Sequence, residues 1–397
     1  MKYIYLIFIF AILSNSANAQ LTSGTTSDKN KNAAQNMLSG NFSKGVTIGG
    51  YGQIDYNQPL YDNKSGMMDI HRLVLLFGYK FSENVHFITE IELEHVSEVY
   101  VEQAFLNYKL NDYISLRGGL MLIPMGYVNE YHEPTQYNGV ERPNIDKYIV
   151  PTTWREIGAG VTGNIDDISL SYQAYVFNGF NSFNDGGVLR GSDGLRKGRQ
   201  KGAESLFQRA NFSTKVNYYG IQGLKMGLSG YFGETNSTLF DGLDNSNETD
   251  IAKADSSIIG VSMVGFDAQY NLKGFEAKTQ VIYSGLNNTE KYNAMTGKDL
   301  GSSMFGYYLE LGYDVLSIFK EDAEQRIVLF GRYEKYDTHN SVADIEMNNA
   351  YNRTDITMGV SYHVAQGAVL KADYQLRGDK ESNKYNPNLN FGIGIWF

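Results

Sequence analysis

The chain contains no cysteine, which excludes a disulfide framework, a thiolate metal site and a lipid-anchored N-terminal cysteine. Long apolar runs are missing too: after the first residues nothing approaches the roughly 20 apolar residues that carry a helix across a bilayer. The formal net charge is −10 and no basic stripe appears, so no nucleic-acid partner is expected. The opening MKYIYLIFIFAILSNSANAQ has a basic Lys2, an apolar run to Leu13 and the small-residue stretch Ala17-Asn18-Ala19. It reads as a signal peptide over residues 1–19, too short for a membrane anchor. Residues 20–44 are polar and aperiodic, the pattern of a flexible leader. An exported chain with no spanning helix is periplasmic, extracellular or a barrel of the outer membrane.

What the sequence does have, from residue 45 to 397, is alternation, the period of a strand with two different faces. In SLFQRANFSTKVNYY, Phe212, Thr214, Val216 and Tyr218 face one way and Asn211, Ser213, Lys215 and Asn217 the other. In FGYYLELGYDV, Phe305, Tyr307, Leu309, Leu311 and Tyr313 oppose Gly306, Tyr308, Glu310, Gly312 and Asp314. Sixteen such segments are predicted, beginning at about 45, 69, 84, 98, 113, 154, 167, 205, 223, 257, 274, 303, 325, 353, 367 and 388. Many exceed the usual soluble strand of roughly 5 to 6 residues.

The links between them alternate in length. SEN, ND, NIDD, GIQG, LKG, SIFKEDAE and AQG take turns with the longer stretches 56–68, 123–153, 180–204, 235–256, 288–302, 338–352 and 379–387; only the link at Val96 and Ser97 is short on the long side. A β-sandwich gives no reason for this asymmetry. A transmembrane antiparallel β-barrel of about 16 strands does, with short periplasmic turns and long outer loops. Lipid satisfies no backbone hydrogen bonds, so the sheet must close on itself. The end FGIGIWF is then the last strand, Phe391, Ile393 and Ile395 turned to lipid, pairing with the first strand near residues 46–55. An alternating strand ending on Phe397 also resembles the signal read by the barrel-assembly machinery. The outer stretch NSFNDGGVLRGSDGLRKGRQKGAE is rich in Gly and charge, which suits a mobile loop.

Residues 98–126, EVYVEQAFLNYKLNDYISLRGGLMLIPMG, resemble the phosphate-selective porin O and P family. Glu102, Ala104, Phe105 and Tyr108 answer one part of its pattern, Arg117, Gly119, Pro124 and Gly126 another. The continuation NEYHEPTQYNGVERPNID is similar to the third loop of such porins from the Bacteroidetes group. The resemblance implies a sixteen-stranded diffusion porin, usually a homotrimer. Leu122 stands where many members carry lysine, and by alternation it would face lipid, so strong anion preference is not expected.

Strand parity nominates lumen-facing charges, among them Arg72, Glu90, Glu92, Glu94, Arg117, Arg209, Lys215, Glu310 and Arg332. The signs nearly balance. Glu90, Glu92 and Glu94, at alternate positions in EIELE, would set up a field against Arg72 and Arg117 across the channel. Residues 123–153 hold Pro124, Pro134 and Pro143, which argues against a floppy loop, and form a candidate constriction with Glu130, His132, Glu133 and Arg142 at the eyelet. A lone His among carboxylates lacks the ligand spacing of a zinc site, so no metal is expected. No nucleophile elbow or phosphate cradle appears, and no catalysis or cofactor is expected. These readings converge on a porin of the Gram-negative outer membrane, in contact with its lipid, giving passive and weakly selective diffusion of small hydrophilic solutes and ions. The alternative is a barrel that binds or adheres through its outer loops.

Overall fold

The computed structural model describes residues 31–39, 45–244, 246–320 and 324–397, so the expected signal peptide and residues 20–30 and 40–44 of the leader lie outside the described residues. Among the described residues eighteen strands occur: β1 (Gly45–Pro59), β2 (Met67–Lys80), β3 (Val85–Glu94), β4 (Glu98–Lys109), β5 (Ser115–Leu122), β6 (Arg155–Ile165), β7 (Leu170–Phe177), β8 (Asn181–Phe183), β9 (Asn211–Ile221), β10 (Leu224–Glu234), β11 (Asn236–Ser237), β12 (Gly260–Leu272), β13 (Phe275–Asn287), β14 (Ser303–Asp314), β15 (Arg326–Ser341), β16 (Asn352–Ala365), β17 (Ala368–Asp379) and β18 (Tyr385–Trp396). All but β8 and β11 join one closed antiparallel barrel of sixteen strands. β8 and β11 make a separate parallel pair between two of the long loops.

Closure is made by β1 on β18, from Tyr51 opposite Trp396 to Pro59 opposite Asn388. Phe391, Ile393 and Ile395 are exposed on the outer face, as the alternation predicts. The same parity holds around the wall: Phe212, Val216, Leu228, Phe232, Leu309 and Leu311 are exposed outward, while Ser213, Lys215, Ser229, Tyr231, Tyr308 and Glu310 are buried inside. Such an outward apolar belt around a polar interior is the inverse of a soluble barrel and fits a surrounding lipid phase. Among the described residues no helix is long and apolar enough to cross a membrane; strands do the crossing here.

Hairpins at one end are tight. Between β12 and β13 only Lys273 and Gly274 intervene, at φ 49° and 81°. Positive φ at both central positions twists the turn with the strands, and the second is a glycine because a Cβ is strained there. At the other end three long connections pack together over a shared apolar cluster containing Trp154, Phe180, Leu189, Leu195 and Tyr292, all buried. Trp154 and Phe180 stack with centroids 4.4 Å apart. The stretch 180–204, whose Gly and charge content suggested a mobile loop, is therefore held down: Leu189 and Leu195 have no exposure. Two buried leucines outweigh the polar composition around them.

The leader also differs from its expected form where it is described. Residues Ala33–Ser39 form a helix, α1, closed by a reciprocal cap in which Asn32 Oδ1 accepts from the Gln35 amide (2.9 Å) and Gln35 Oε1 accepts from the Asn32 amide (3.1 Å). Ala33, Ala34 and Met37 form its buried face. Met37 approaches the inward positions Gly49 and Gly78, so α1 lies inside the barrel against β1 and β2.

Candidate functional site

The dominant feature of the interior is the connection from β5 to β6. Residues 123–153 do not arch outward; they run inside the barrel and are buried over most of their length. Their backbone polar groups, which cannot be left unmet away from water, are answered by inward side chains from all round the wall. Lys215 of β9 donates to Gly126 O (2.6 Å), and Gln280 of β13 accepts from the Tyr127 amide (2.7 Å). Arg72 of β2 donates to His132 O (2.6 Å). Lys371 of β17 donates to Tyr137 O and Gly139 O (2.6 and 2.8 Å), and Asp373 accepts from the Val140 amide (2.6 Å). Glu334 of β15 accepts from the Asn144 amide (2.5 Å), whose side chain donates to Asp355 of β16 (2.5 Å). The segment is thus a diaphragm tied to opposite walls, with a short helix α2 (Ile145–Tyr148) near β14 and β15.

This placement changes the meaning of the inward charges. Arg72, Glu90, Glu92, Lys215, Glu310 and Arg332 all face inward and are all buried beneath the segment. Arg72, Lys215, Glu310 and Arg332 bond the segment directly. Lys215 pairs with Glu130 (2.8 Å) and Asp267 (3.0 Å), and Arg332 with Glu334 (2.9 Å) and Glu310 (3.3 Å). Of the three EIELE glutamates only Glu94 keeps appreciable exposure, and it lies directly opposite Arg72 in the sheet. Arg117 does not face that strand: it bonds Asn107 (3.2 Å) and stacks over Phe105 (4.7 Å). Arg209 precedes β9 and pairs with Glu234 (2.6 Å), which sits on the outward parity of β10, so it belongs to the rim and not to the lumen. Leu122, expected to face lipid, is buried at the end of β5, where it lines a small crevice with Met121 and α1.

Within the segment, Glu130, His132 and Glu133 are buried and Arg142 is half-buried. Glu133 accepts from the Ala33 amide (2.6 Å) and Asn32 donates to Glu130 O (2.9 Å), so the same segment grips α1. Burial pushes the Glu133 carboxyl up, against the pull of His132. Burial likewise pushes Asp146 up to about 7, partly relieved by the hydrogen bond from Gln280 (2.8 Å). Above the segment Arg196 donates to Thr152 O (2.6 Å) and Arg199 to Pro151 O (2.9 Å); burial, with Arg196 and Arg155 beside it, brings Arg199 down to about 9.

Sequence reasoning missed Tyr51, Gln280, Asp146 and the whole of α1 as parts of this assembly. A signal for α1 exists in the spacing of Ala33, Ala34 and Met37 behind Asn32-x-x-Gln35. None exists for Gln280, one inward polar residue among many.

The sixteen-stranded barrel with the inward-folded connection between β5 and β6 defines a porin-type fold. Solved structures agree at the level of the fold: an anion-selective porin from Comamonas acidovorans (11% identity, TM-score 0.56, covering 89% of this chain and 100% of that one), the outer membrane channel DcaP of Acinetobacter baumannii (11%, 0.55, 89% and 97%) and OmpT of Vibrio cholerae in a trimer form (13%, 0.53, 89% and 100%). No family model matches the chain. It belongs to the same family as an uncharacterized protein of Aquifex aeolicus (strain VF5), with 33% identity over 361 residues, 86% of this chain and 78% of that protein.

Proposed function

We propose that this chain is an outer-membrane porin, exported by a cleaved signal peptide, through which small hydrophilic solutes and ions diffuse passively and with weak selectivity. The observation that carries the reading is the diaphragm: a barrel wide enough to hold residues 123–153, which narrow its bore and are hydrogen-bonded to walls on opposite sides. An adhesive barrel working through outer loops has no need to fill its interior with a fixed, charged segment, and an enzyme of this kind would place its chemistry at the rim. The likeness of residues 98–126 to phosphate-selective porins supports the same general activity. Weak selectivity follows from charge placement: Glu94 on the wall is offset by half-buried Arg142 and by Arg196 and Arg199 above the segment. A homotrimer in lipid, assembled through the β18 signal ending at Phe397, completes the reading, as one Vibrio cholerae OmpT structure is a trimer form.

The test is a planar-bilayer recording of protein purified from outer membranes and shown to be heat-modifiable on a gel. Stepwise conductance with a reversal potential of a few millivolts in a salt gradient is expected. Recovery as a soluble periplasmic monomer, or a folded barrel that never conducts, would end the proposal.

A further inference from the structure

Where the diaphragm meets the wall at His132, three side chains converge that nothing in the sequence spacing brings together. Glu90 of β3, Glu102 of β4 and His132 each offer a ligand atom within 4.8 Å of the others, and all three are buried. His132 Nε2 lies 3.2 Å from Glu102 Oε2, and the Tyr51 hydroxyl is 2.8 Å from that nitrogen and 3.0 Å from that oxygen. We propose that Glu90, Glu102 and His132 bind a divalent transition-metal cation, which clamps the diaphragm to the barrel wall.

Two observations carry this. The first is the orientation of the imidazole. Nδ1 donates to the carbonyl of Asn129 at 3.2 Å, which turns Nε2 toward the Glu102 carboxylate. A backbone carbonyl holding the far ring nitrogen is also how metal-bound histidines are commonly oriented. The second is the set of unmet atoms: Glu90 Oε2 and Glu102 Oε1 are buried with no hydrogen-bond partner among the described residues, while Glu90 Oε1 is held by Gln103 (3.0 Å). The 3.2 Å between His132 Nε2 and Glu102 Oε2 also fits two atoms of one coordination shell with bonds of about 2.1 Å. One imidazole with carboxylates selects an ion of intermediate hardness, Mn²⁺ or Zn²⁺, over Cu(I) or Ca²⁺.

The experiment uses the full folded chain in detergent, stripped with EDTA and titrated with Mn²⁺ alone, then with Zn²⁺ as competitor. One ion per chain is expected, with the nitrogen coupling of one imidazole in pulsed electron paramagnetic resonance of bound Mn²⁺. His132→Gln and Glu102→Gln should each weaken binding by more than about tenfold. His71→Gln, at the rim beside Asp55 and His95, should leave it unchanged. Absence of stoichiometric binding to the wild type would overturn the proposal and assign the site to protons instead. So would bound Mn²⁺ without nitrogen coupling, a result that needs no variant to fold. Binding lost in H71Q and kept in H132Q would move the site to the rim and refute the assignment equally.

Discussion

Replacing Arg332 by alanine should release the diaphragm and destabilise the barrel by about 3–5 kcal/mol, the cost of leaving a buried ionic group without its partner. The side chain has no exposure and reaches three groups at once: Glu334 at 2.9 Å, Glu310 at 3.3 Å and the carbonyl of Glu141 at 3.3 Å. Glu334 in turn holds the Asn144 amide, so one guanidinium links two strands to the segment. The magnitude arises less from the attraction lost than from the two carboxylates stranded in a dry interior. The control is therefore the triple variant R332M/E310Q/E334Q, which removes all three charges and keeps comparable volume; it should recover most of the loss. A urea titration of folding into lipid vesicles, followed by the fluorescence of Trp154 and Trp396, reads both variants, and protease cleavage within 123–153 reports release of the segment. If R332A folds with wild-type midpoint, or the triple variant is as damaged as the single one, the segment is not anchored by this charge network.

The outer face gives a second expectation: Leu309→Arg, in the exposed apolar belt, should cost about 2 to 4 kcal/mol in the same titration, whereas a cost near zero would place Leu309 off the lipid surface. For permeation, Glu94→Gln should move the reversal potential toward anions, while Glu90→Gln, covered by the segment, should not; equal shifts would mean that water reaches Glu90. Asp146, raised to about 7 in the folded chain against about 3.9 unfolded, contributes stability that is complete below pH of about 4 and lost as pH rises through about 7. The unfolding midpoint should fall over that window in the wild type and stay level in Asp146→Asn.

The barrel was legible in the sequence because a lipid phase imposes a rule on every strand. Each must turn apolar groups outward and each must pair on both edges, so alternation at Phe212 to Val216 or Phe391 to Ile395 fixes the face of a side chain with no knowledge of its neighbours. Link length then gives the two ends. Parity fails at strand ends: Arg209 falls just before β9 begins, where no pleat constrains the side chain, and Leu122 is the last residue of β5.

The interior follows no such rule. Parity says that Glu90 and Glu310 point inward, but whether they meet water or protein depends on what else enters the bore, and that is decided by a segment 31 residues long whose path no periodicity describes. Its prolines show only that it has a fixed course. What selects the course is the match between its backbone donors and acceptors and the wall's charges. Asp373 takes the Val140 amide, and Lys371, two residues along the same face of β17, takes the carbonyls of Tyr137 and Gly139. Read alone, a balanced set of lumen charges looks like a neutral aqueous channel. Paired with a chain that must satisfy its own peptide groups inside the barrel, the same balance is what folding that chain requires, since amides call for carboxylates and carbonyls for ammonium or guanidinium groups. Near-equal numbers of inward Asp, Glu, Lys and Arg are therefore evidence about the plug before they are evidence about the ions that pass, and selectivity must be sought in the few charges, Glu94 and Arg142 among them, that the diaphragm leaves partly exposed.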